Sequence, residues 1–274
     1  MRGNHLQAIG APPRNLRRIT TAAEGVAGSG ALLPDNGIAV DLMLVPLIMG
    51  LAAFVQGATG FGYGLVAMAV LASLLHIKAA VVILAPASFC LCTMLFLRLR
   101  SHVAWRDATP VAISVVIGVP AGAAFLVQAD PDLLQAILGA LLIVSAVYAM
   151  LPKLAERPWH PVFLGIPCGV LSGAMGGALG ASGPPIIAFV STQGYGRFRY
   201  TGTLQFVFGT MAFVRLVEFF RRGLFTQDLL LQSGLGVVCV LAGALLGVRV
   251  LTASPIGRSR ASSRCAWSCS ASAT

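Results

Sequence analysis

The chain has 274 residues, of which 57% are hydrophobic and only 10% are charged, against roughly 25% charge in a soluble domain. So few polar residues cannot cover a water-facing surface, and the composition dictates an all-α polytopic membrane protein with the lipid bilayer as its main partner. The net charge of +10 could suit nucleic acid, but the lysines and arginines are spread through short loops between apolar runs. They read there as topology determinants, and no nucleic-acid partner is expected.

Residues 1–38 are polar and rich in Gly, Ala and Pro, with Arg14, Arg17 and Arg18. They lack the apolar core of a signal peptide, and read as a disordered cytoplasmic extension or as the product of an early start codon. The apolar runs follow: Val40–Val55, Leu65–Leu75, Ala79–Leu97, Ala108–Gln128 with Pro120 as a mild interruption, and Leu133–Leu151. A further run, Pro161–Met175, continues through a glycine stretch to Thr192 and is followed by Thr201–Phe220 and Leu229–Leu251. A crossing needs about 20 apolar residues, which leaves room for about seven or eight spans.

The halves resemble each other. Gly57-Ala58-Thr59-Gly60 returns as Gly173-Ala174-Met175-Gly176, 116 positions on. Asp107 and Ala121-Gly122 return as Asp228 and Ala242-Gly243, 121 positions on. Four features in one order predict two repeated halves of about four spans each, residues 39–152 and 160–252. The second half lacks a counterpart of Leu133–Leu151. From Ser254 the chain reads SPIGRSRASSRCAWSCSAS, so residues 253–274 form an atypical polar tail and the last helix is expected to be missing or replaced.

The loops Arg98–Arg106, Lys153–Arg157 and Arg221–Arg222 are basic, while Asp130–Asp132 is acidic. Basic loops stay in the cytoplasm, so the N-terminus is predicted inside and Asp130–Asp132 outside. This holds if each glycine-broken pair of segments makes one net crossing. Arg197 and Arg199 then fall outside, against the rule.

Two interruptions carry the chemistry: QGATGFGYG at 56–64 and GAMGGALGASGPP at 173–185. The run 161–192 is too long for one straight crossing and too short for two with a turn. A helix that enters, unwinds near mid-membrane and resumes fits it. Backbone can be irregular at that depth only when buried in protein or lining a wet cavity. Unwound amides and half-helix N-termini attract negative charge, and paired broken segments point to a transporter's binding site. The predicted anion site therefore needs no basic side chain. Its candidates are Gly57, Gly60, Gly62 and Gly64 in the first break, and Gly176, Gly177, Gly180, Gly183 and Pro184 in the second. Helix packing is the competing account, and it is preferred for Gly243 and Gly247. Gln56, Ser172, Ser182, Thr203 and Gln205 are polar groups in apolar surroundings, and each serves either as substrate ligand or as helix–helix glue. Arg215 and Glu218 can pair on one helix face. They lie near a cytoplasmic helix end, where snorkelling is the plain explanation.

Other chemistry finds no motif. Cys90, Cys92, Cys168 and Cys239 sit in apolar runs, Cys265 and Cys269 in the tail, and no His/Cys cluster has metal spacing. His102 and His160 sit in loops. There is no GxxxxGK[ST] for ATP and no HExxH, and no histidine follows His160 to serve an intramembrane serine. Neither an enzyme, a metal nor a cofactor is expected.

Three stretches, LGASGPPIIAFV (179–190), HVAWRDATPVAISVVIGVPAGA (102–123) and ILGALLIVSAVYAML (137–151), resemble the TauE/SafE sulfite exporter family over about residues 42–251. The family's GxGGP appears as Gly180-Ala-Ser-Gly183-Pro184, with serine for one glycine. The resemblance implies a carrier of the bacterial inner membrane with two repeated halves. Its substrate would be a small sulfur or organosulfur anion such as sulfite or sulfoacetate. The expected function is secondary transport of such an anion, with Glu218 the one obvious intramembrane carboxylate. A non-transporting membrane scaffold or assembly factor is the alternative, and homo-oligomerisation is left open.

Overall fold

The computed structural model describes residues 38–150, 161–225 and 227–253, and every regular element among them is a helix. The expected N-terminal extension, the basic loop 153–157 and the tail from 254 lie outside the described residues. In chain order the helices are α1 (Ile38–Thr59), α2 (Tyr63–Leu74), α3 (Ile77–Leu99), α4 (Trp105–Gln128) and α5 (Pro131–Met150). After a π-turn at Pro161–Gly165 come α6 (Ile166–Leu179), α7 (Gly183–Thr192), α8 (Arg197–Arg221) and α9 (Gln227–Ala253). Helices α3, α4, α5, α8 and α9 are long and apolar enough to cross a bilayer. Helices α1–α2 and α6–α7 are consecutive pairs, each interrupted by a few non-helical residues, and α2, α6 and α7 are short.

The breaks are narrower than the glycine content suggests. Residues 57–59 and 173–179 remain helical, and only 60–62 and 180–182 unwind. Gly60 and Gly62 take φ of 93° and 109°, and Gly180 takes 67°, a left-handed backbone that costs other residues about 1–2 kcal/mol. The neighbouring glycines serve contact. A Cβ on Gly173 would lie 2.9 Å from the Val115 carbonyl oxygen, and one on Gly177 would collide with that of Val119. In return, Gly118 and Gly122 leave room for the carbonyls of Val170 and Ala174. Helices α4 and α6 thus touch backbone to backbone. Helices α1 and α9 do the same: a Cβ on Gly57 would lie 2.6 Å from the Ala244 carbonyl oxygen, and those on Gly243 and Gly247 would collide with the carbonyls of Gly50 and Phe54. Packing is therefore what Gly243 and Gly247 do, as the sequence indicates, and it also claims Gly57 and Gly177. Pro110 and Pro120 do not break α4.

Helix α3 runs through the middle, with Ile77 and Ala79–Ala85 all buried, and packs against α8 and α9. Helix α5 leaves Ile143, Val144 and Val147 exposed, and α9 leaves Leu231, Val238 and Leu246 exposed; such faces suit lipid. Arg197 and Arg199, the two charges against the topology rule, are both engaged. Arg197 donates to the Ala58 carbonyl at 3.3 Å. The Arg199 guanidinium lies 4.9 Å from the Tyr195 ring centre, and the Tyr195 hydroxyl donates to Asp107.

Two glycines separate packing from freedom. Gly139, within α5, has nothing within 4 Å of an added Cβ. Gly139→Ala should raise stability by about 0.5–1 kcal/mol, since glycine costs that much in a helix interior. Gly122→Ala, driven into the Ala174 carbonyl, should lose about 1–3 kcal/mol through overpacking. Thermal unfolding of both variants in detergent measures the contrast.

Candidate functional site

The two breaks meet. A Cβ on Gly64, at the start of α2, would collide with the carbonyl oxygen of Gly180 at the end of α6, so only glycine permits the approach. Around this crossing lie the ends of α1 and α6 and the beginnings of α2 and α7.

Side chains from α1, α3 and α8 hold the first break. Gln56 is the hub: its Oε1 accepts from the Tyr63 N–H at 2.9 Å. Its Nε2 donates to Gln205 Oε1 at 3.3 Å and to Cys92 Sγ at 3.7 Å. Gln205 Nε2 donates to the Gly60 carbonyl at 2.7 Å. Buried amides of this kind are stable only when paired, and here the pairing fixes the unwound residues.

The second break is held by Ser172, whose hydroxyl donates to the Ser182 carbonyl, and by Arg215. Arg215 Nη1 donates to the Gly176 carbonyl at 3.2 Å and Nη2 to Ser88 Oγ at 2.5 Å. Gly176 lies in the last turn of α6, where its carbonyl also accepts the Gly180 N–H at 3.1 Å and where a cation is favourable. Arg215 is only 4% exposed. Its Nε and the hydroxyl of Tyr63 have no hydrogen-bond partner among the described residues.

Arg215 corrects two expectations. It does not snorkel to a membrane surface, and it does not pair with Glu218. Glu218 instead meets Arg222 at 2.7 Å and Arg221 at 3.7 Å, because those arginines follow it at the helix end. Arg215, one turn earlier, faces the Gly176 carbonyl. The crossing thus contains a basic side chain, contrary to an anion site built of amides alone. The sequence also weakens that version at α7: Pro184 and Pro185 occupy its first turn and contribute no N–H.

A cavity of about 50 Å³ opens at the crossing. A water needs about 10–15 Å³ of such space, so it has room for a group of roughly four water-sized atoms. Six sequence candidates line it: Gln56, Gly62, Gly64, Gly180, Ser182 and Gly183. Gly60, Ser172, Gly176 and Gln205 stand behind them and hold the lining through the bonds just described. Gly57 and Gly177 face neighbouring helices, Pro184 is outside the lining, and Thr203 accepts the Ala104 N–H at 3.1 Å, tying the start of α4 to α8.

Sequence reasoning missed Tyr63, Ser88, Cys92 and Met211 in the wall, and above all Arg215. For Arg215 the signal was available: a lone arginine inside an apolar run marks a functional position by default. Among the lining residues Arg215 carries the only charge.

The profile of the family described as "Sulfite exporter TauE/SafE" matches residues 45–261. A curated relative from Cupriavidus necator, "Probable sulfite/organosulfonate exporter TauE", is 28% identical over 221 residues, covering 76% of this chain and 85% of that protein. No solved structure matches. The match runs through both breaks and all five long helices, and the chain belongs to the sulfite exporter TauE/SafE family of membrane transporters.

Proposed function

We propose that the chain is a secondary carrier of small sulfur oxyanions, sulfite or a small sulfonate, across the bacterial inner membrane, with the cavity at the two breaks as its binding site. The observation that carries this reading is Arg215. A buried guanidinium with an unused donor, beside a small cavity without negative charge, requires an anion to complete it. The cavity volume suits a group with the few heavy atoms of sulfite. Gln56, Gly62, Gly64, Gly180, Ser182 and Gly183 surround the solute, while Gly60, Ser172, Gly176 and Gln205 hold the wall.

The helix pairings support reading residues 39–152 and 160–252 as repeats. Matching α1 with α6 and α4 with α9 turns the α1–α9 contact into the α6–α4 contact. Each broken pair then counts as one crossing, with the N-terminus in the cytoplasm. Reporters fused after Gln128 and after Lys153 should fall on opposite sides of the membrane; finding both on one side would overturn this topology.

Labelled sulfite flux into proteoliposomes tests the site. A Cβ on Gly183 meets only the side-chain ends of Ile187 at 2.9 Å and Leu65 at 3.5 Å. Gly183→Leu can therefore fill the cavity without moving backbone. Flux should fall at least about tenfold, equivalent to about 1.4 kcal/mol. Equal flux in the two proteins would take the cavity out of the transport path.

A further inference from the structure

We infer that the cavity selects singly charged anions over doubly charged anions of the same shape, an inference that rests on reading the cavity as the carrier's binding site. Arg215 supplies one full positive charge, and no other charged residue lines the cavity among the described residues.

The helix ends add little to this. The starts of α2 and α7 bring positive ends to the crossing, but α1 stops at Thr59 and α6 at Leu179, so two negative ends arrive at the same place. Each end is worth about half a charge, and the four cancel to first order. The site as a whole therefore offers close to one unit of compensation.

The donors agree with the count. Two nitrogens of Arg215 are committed to Gly176 and Ser88. The remaining N–H groups, Nε–H and the second one on each Nη, all belong to that one charge, and the Tyr63 hydroxyl is neutral; Nε and this hydroxyl are buried and unpartnered. A monoanion, which for sulfite means hydrogensulfite rather than the dianion, leaves the loaded site neutral. A dianion loses far more hydration on entry, and one unit of its charge stays uncompensated in a low-dielectric interior. A substrate with a carboxylate beside its sulfonate, as in sulfoacetate, is disfavoured on the same ground.

Methanesulfonate and sulfate give the test, since both are tetrahedral and differ by one charge at neutral pH. Purified wild-type protein is titrated calorimetrically with each at matched ionic strength, and each is also used to compete with labelled sulfite in proteoliposomes. Methanesulfonate should bind at least about tenfold more tightly and compete correspondingly better. Sulfate binding as tightly as methanesulfonate, or no binding of either, overturns the charge selection. Saturable sulfite flux on which the two ions compete equally overturns it too and leaves the carrier reading standing. Preferential methanesulfonate binding without sulfite flux upholds it and overturns the carrier reading instead.

Discussion

Arg215→Gln is expected to lower sulfite flux at least about a hundredfold while the protein remains folded in the membrane. Losing one member of a buried, hydrogen-bonded charge contact costs about 2–5 kcal/mol of binding, and a hundredfold is about 2.8 kcal/mol. Stability should move little or rise, because the empty site holds a buried cation whose described contacts are neutral, and desolvation works against such a charge. Glutamine keeps an amide that can still reach toward Ser88 or the Gly176 carbonyl. Arg215→Lys should fall between the two proteins. It preserves the charge, but a compact ammonium cannot hold both Gly176 and Ser88 while presenting a third donor in a fixed plane. Proteoliposome flux and thermal unfolding in detergent, run on the same preparations, separate binding from folding. Wild-type flux in Arg215→Gln would remove the cation from the site.

Gly64→Ala should lose stability as well as flux. The added methyl falls on the Gly180 carbonyl oxygen, and both partners are backbone, so no side chain can swing aside. Overpacking of this kind costs about 1–3 kcal/mol, and the relief available is separation of the two breaks, which enlarges the cavity around Arg215. Gly62→Ala provides the control. Nothing lies within 4 Å of its added Cβ, but its φ of 109° is unfavourable for alanine, at about 1–2 kcal/mol. It should therefore destabilise without driving the breaks apart, and retain more flux than Gly64→Ala. Equal flux in the two variants would show that the close approach of Gly64 to Gly180 does not position the site.

Much of this arrangement was legible in the sequence. Runs of apolar residues mark the long helices, and two glycine-rich interruptions mark the breaks, because hydrophobic length and backbone permissiveness are properties of a segment. Gln56, Ser182 and Gly183 were legible because a polar or helix-disturbing residue in an apolar segment must have a use. The division of labour among the glycines was not. Gly173 and Gly180 are the same residue type seven positions apart, yet one lets α6 touch α4 and the other takes a left-handed turn. What separates them is the neighbour each faces, and spacing alone does not identify it. Arg215 and Glu218 illustrate the same limit. Spacing of three permits them to pair, but Arg221 and Arg222 stand closer to Glu218 at the helix end, and the Gly176 carbonyl stands within reach of Arg215.

The backbone-to-backbone seams carry a consequence for motion. The seams join α1 to α9 and α4 to α6, and at their glycines backbone meets backbone directly. Sliding along either would force carbonyls over α-carbons, so each of these two duos is expected to move as one rigid body. A crosslink within one duo should leave turnover intact, whereas a crosslink between duos should arrest it.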